Sequence, residues 1–205
     1  MSTTAIRTPQ EYEDAYGAYY AEAAEEVRAV RVGEKDMSEM AAIVTRHADL
    51  FTPEQLEALR AAETEETDTD ETERLYRLRR TCEDGIVSAE LAAREDELEN
   101  AILAARLTFE GEELPLRAAQ ARLAVLPEYA KRDALGELIR TLDGGFNEHR
   151  RELLVARDNL EAGLSGERLA IARNETDKQI SLRELEEVLR RTADAVADEF
   201  ARLRE

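Results

Sequence analysis

Residues Leu107 to Leu126 read LTFEGEELPLRAAQARLAVL, the one stretch where a helix-forming text is broken by strand and turn. Leu107, Thr108 and Phe109 combine apolar and β-branched character. Glu110 and Gly111 supply a turn in which glycine tolerates positive φ, and Leu114 and Leu116 bracket Pro115. This spacing predicts a small hairpin or β-like elbow. After Pro115 helical periodicity returns at once, through Leu116, Ala119 and Leu123, because proline suits a first helical turn. The elbow therefore joins two long helical segments. The fold class follows: all-α, an antiparallel bundle of helices of unequal length with one small β-hairpin near 107–116.

Composition agrees with that class. Of 205 residues 43% are hydrophobic and 37% charged, dominated by Ala, Glu, Leu and Arg, with few glycines and prolines. Such a chain buries a real core and favours long helices. A net charge of −19 repels phosphate, which argues against unspecific binding to nucleic acid or an anionic membrane. Cys82 is the only cysteine, so no internal disulfide forms and a reducing compartment is expected. Its helical spacing with Leu75, Leu78 and Ile86 reads as a small buried hydrophobe. No apolar run follows Met1 or approaches the ~18 residues of a membrane span. The expectation is a cytoplasmic protein.

Taken in order, Thr8, Pro9 and Glu11 form a helix start, and that helix runs to about Val32, where Gly33 stops it. Tyr12, Tyr16, Tyr19, Tyr20, Ala23, Val27 and Val30 make its packed face. A shorter helix spans about Ser38 to Ala48, with Met37, Met40, Val44, Ala48 and Phe51 on one side and His47 beside them. Thr52, Pro53 and Glu54 repeat the start signal. The run ETEETDTDETE from Glu63 to Glu73 buries nothing apolar and reads as a solvated linker or helix entry. A calcium loop is excluded there, because the ligand spacing and glycine are missing. The domain organisation expected is 1–62 as an N-terminal helical subdomain, 63–73 as the acidic linker, and 74–205 as the main helical domain, packed with the first.

The longest helix, about Thr72 to Arg106, carries a stripe through Leu75, Leu78, Cys82, Ile86 and Ala89, continued by Leu91, Leu98, Ile102 and Ala105. Gly85 is placed to bend or split it. Arg74, Arg77, Arg79 and Arg80 follow the acidic run with acids at helical spacing, so charge pairing outweighs nucleic-acid contact. From Glu128 to Ala162 another line runs through Leu135, Leu138, Leu142, Phe146, His149, Leu153, Ala156 and Leu160, interrupted at Gly144 and Gly145 by either a kink, the preferred reading, or the boundary between two helices. Gly163 and Gly166 mark a turn, Glu167 to Arg173 one or two helical turns, and Asn174 to Asp177 a loop. Ser181 to Glu184 is a capping box, after which Leu182, Leu185, Leu189, Val196, Phe200 and Leu203 line one face. That helix meets no stop signal before Glu205, the pattern a cut in a longer polypeptide leaves.

The elbow also carries a family likeness. The order Thr-Phe-Glu-Gly-Glu, Leu-Pro-Leu, Ala-Ala-x-Ala-x-Leu, Pro-Glu-Tyr-Ala-Lys-Arg resembles the N-terminal helical region of the oligoendopeptidase-like zinc metallopeptidases, of the thimet oligopeptidase and oligoendopeptidase F type. Gly111 and Glu112, Leu116 to Leu123, and Pro127 to Arg132 carry it, within a stretch from about Thr72 to Gly166. The resemblance implies the wall and lid of a peptide-binding cleft. It also implies zinc, on a His-Glu-x-x-His helix that this chain lacks, so zinc enters only through a longer parent polypeptide.

No chemistry is spelled out locally. His47 and His149 belong to neither His-x-x-x-His nor Glu-x-x-His, and each lies on or beside an apolar stripe, which reads as packing. Acid pairs such as Glu95 and Glu99 recur by chance in so acidic a chain. Gly144-Gly145 lacks the preceding strand of a nucleotide turn, and Ser165-Gly166 is turn chemistry. No catalytic, cofactor-binding or metal-ligating residue is therefore assigned. Two functions remain: a non-catalytic helical region of a peptidase-like protein, or a free-standing interaction or dimerisation module whose simplest form is a homodimer through the C-terminal helix.

Overall fold

The computed structural model describes residues 6–165, 175, 176, 178 and 180–202. Its elements are α1 (Pro9–Arg31), α2 (Met40–Arg46), a 3-10 turn (Ala48–Leu50), α3 (Pro53–Glu65), α4 (Thr69–Ala104), β1 (Arg106–Phe109), β2 (Glu112–Pro115), α5 (Leu116–Val125), α6 (Tyr129–Gly144), α7 (Asn147–Ser165) and α8 (Leu182–Arg202). The fold is all-α apart from the antiparallel hairpin, whose register pairs Arg106 with Pro115 and Phe109 with Glu112. Glu110 and Gly111 both have positive φ, 51° and 85°, as a two-residue hairpin turn demands.

Helix starts obey local chemistry. Thr8 and Glu11 form a reciprocal capping box ahead of Pro9, and Thr52 accepts from Gln55 N–H at 3.1 Å ahead of Pro53. Gly33, at φ 78°, closes α1 through Glu34 N–H to the Ala29 carbonyl and Gly33 N–H to that of Val30. Residues 63–73 supply the last turn of α3, a three-residue connector and the first turn of α4, which Asp68 caps at Glu71 N–H.

The chain divides into two compact units, one ending at Arg157 and one beginning at Asp158. In the first, α4 is the spine, about 54 Å long at 1.5 Å per residue, with α1, α2 and α3 packed on it. Tyr12, Leu50, Leu56, Leu59, Cys82 and Val87 are among its fully buried side chains. A second core lies where the hairpin meets α5 and α6, around Leu107, Phe109, Leu114, Ala119 and Leu135. Beyond Leu135 no described hydrophobic residue is buried.

Several expectations are corrected. Gly85 does not split α4; the Phe51 ring lies against it so closely that any Cβ would overlap the ring. Gly144 and Gly145 end a helix, so of the two readings the boundary replaces the preferred kink, because i to i+3 bonds at Gly145 and Phe146 tighten the chain. Arg150 then clasps Asp143 at 2.6 Å across the break. Tyr20, Val27 and Met37 are exposed, since the buried arc of α1 runs through Tyr12, Glu26, Ala29 and Val30, and that of α2 through Ile43 and Val44. Of the expected loop 174–177, Glu175 and Thr176 are helical. Gly166, the turns at 167–173, Asn174, Asp177 and Leu203 lie outside the described residues.

Candidate functional site

The polar residues that sequence left unassigned mostly serve the fold. Cys82 is buried, its thiol directed to the Leu50 carbonyl at 3.7 Å, and burial pushes it up to about 11, away from thiolate chemistry. Tyr12 is likewise enclosed. Burial and the neighbouring Cys82 hold its phenol in the neutral form, and its hydroxyl makes no well-formed hydrogen bond among the described residues. From Tyr12 the rings of Tyr16 and Tyr20 step outward along α1, while Tyr19 meets Phe51 and His47 edge-on.

The two histidines part company. His47 is half-buried, with Nε2 2.8 Å from Glu22 Oε2, and Arg46 shares that carboxylate. The His47 and Arg46 contacts hold Glu22 below the usual carboxylate range. His149 is exposed on α7, so its expected place in a packed stripe is overturned, although Phe146, Leu153, Ala156 and Leu160 of the same line are half-buried. Glu95 and Glu99 are separate ion-pair partners, of Arg157 at 2.6 Å and Arg117 at 2.9 Å. No group of three or more His, Cys, Asp or Glu among the described residues is placed to hold a metal ion.

Glu83, like Glu26, is a buried charge that sequence reading missed. It lies on α4 beside Cys82 and is reached by Arg60 of α3 at 3.1 Å, by Arg79 at 2.8 Å and by Arg80. Burial pushes its carboxyl up, and the three guanidinium groups outweigh this, leaving it below the usual range. Its presence within the arc of Leu75, Leu78 and Cys82, with arginines three and four residues before it, was the available signal. The neighbouring arginines are engaged too: Arg74 with Glu71 and Glu13, Arg77 with Glu73.

A second polar junction sits where α2 begins. Glu39 offers no side-chain cap, so distant residues supply one. Asp96 of α4 accepts from Ala41 N–H at 2.8 Å and from Ser38 Oγ at 2.6 Å. Asn100 brackets the Ser38 backbone, and Glu26 accepts from Glu39 N–H while pairing with Lys35. An open cleft of about 200 Å³ adjoins this junction, lined by Glu26, Val27, Val30, Arg31, Ser38 and Glu99. The acids and the serine that line it are spent on neighbours, so its polar wall offers no convergent set of free groups.

Among the described residues, α8 contributes no buried side chain. Ser181 Oγ accepts from Glu184 N–H at 3.3 Å, and Leu182 N–H donates to Glu175 at 2.7 Å, so its start is well formed. It is the most sharply two-sided helix among the described elements. Yet Leu185, Val188, Leu189, Val196 and Phe200 are 44, 47, 59, 51 and 64% exposed, so the stripe expected to pack is uncovered. No described helix is long and apolar enough to cross a membrane.

Comparison with known proteins gives no matching family model, no matching curated protein and no matching solved structure.

Proposed function

We propose that the chain is a helical protein-interaction module whose docking element is α8, acting without an active site of its own in a reducing, cytoplasmic setting. The carrying observation is the exposed apolar face of α8, from Leu185 to Phe200. Covering a half-exposed aliphatic or aromatic side chain recovers about 1 kcal/mol each, whereas an isolated helix of this length is marginal in water. A partner surface therefore stabilises both the helix and the contact. The test is binding of an apolar fluorescent dye to the purified dilute chain, together with amide exchange along α8. Dye binding lost in Leu189→Glu and Val196→Glu, with rapid exchange in the dilute chain, supports the reading; protected α8 amides and no dye binding in the dilute chain sink it.

The second reading is a non-catalytic cleft-wall or lid region of a peptidase-like protein. One observation favours it: a hairpin turning at Gly111 before Glu112, then α5, then α6 after Pro127, the element order of the zinc oligoendopeptidase resemblance. In that setting the partners are peptides and a separate catalytic region, and zinc belongs to the latter. A reading frame that continues past Glu205 into His-Glu-x-x-His supports it; a stop codon there counts against it.

A further inference from the structure

We draw no further inference here: the strongest candidate, the uncovered apolar face of α8 from Leu185 through Val188, Leu189 and Val196 to Phe200, carries nothing beyond the docking role already proposed, because nothing in the structure shows what covers it.

Discussion

Two buried side chains show how differently a polar atom behaves with and without partners. The Tyr12 hydroxyl is enclosed and poorly bonded, so Tyr12→Phe removes an unsatisfied group without changing the packed ring. Stability should rise by about 1 kcal/mol, read as a Tm increase of roughly 2–4 °C. Glu83 is the opposite case. Its three arginines make ionisation worthwhile, and Glu83→Gln leaves them facing a neutral amide in a place that water scarcely reaches. The expected loss in urea denaturation at neutral pH is about 3 kcal/mol, the low end for breaking a buried ion pair because the arginines keep some solvent. Since the folded carboxyl titrates below its unfolded value, this contribution is fully present above the ordinary carboxylate range and disappears as pH falls through the folded value. The gap between wild type and variant should begin to narrow below about pH 4 and close only below the folded value. The sequence places Tyr12 on a packed face and offers Arg79 and Arg80 as partners of Glu83, but it does not show the enclosure of the phenol or the third arginine, Arg60, from another helix.

At the scale of elements, legibility follows sequence distance. The starts of α1 and α3, the stop at Gly33 and the turn at Glu110 and Gly111 depend on residues within four or five positions of one another, and each was readable. The start of α2 was not, because its cap comes from Asp96, 55 residues beyond Ala41. Gly85 illustrates a misleading local rule. Glycine costs a helix about 1 kcal/mol relative to alanine, so its presence suggested a bend; the long-range contact with Phe51 explains it instead. Gly85→Ala should therefore destabilise despite alanine's better helix propensity. Overpacking costs about 1–3 kcal/mol, which exceeds or cancels the gain, and the measurement is thermal unfolding followed by helical ellipticity. An increase in Tm would show that Phe51 yields without strain. Periodicity likewise identified the apolar side of α8 but carried no information about what covers it.

At the scale of the molecule, all the described buried residues lie at or before Leu135, inside the unit that ends at Arg157. A polypeptide stopped at Arg157 should retain a cooperative unfolding transition within a few degrees of the full chain, checked by calorimetry. A broad or absent transition would mean that the remaining residues contribute to its core. Within that unit the contacts differ widely in the length of chain they close. Residues 66–68 alone separate α3 from α4, whereas the Gln55 amide grips the backbone of Arg7 from 48 positions away, and Asn100 grips Ser38 from 62. Short loops close fastest, and long ones must first overcome greater chain entropy. The α3–α4 hairpin is thus the natural nucleus, and the Gln55 and Asn100 latches fasten last. Damage to the latches should quicken unfolding and leave the rate of refolding nearly unchanged.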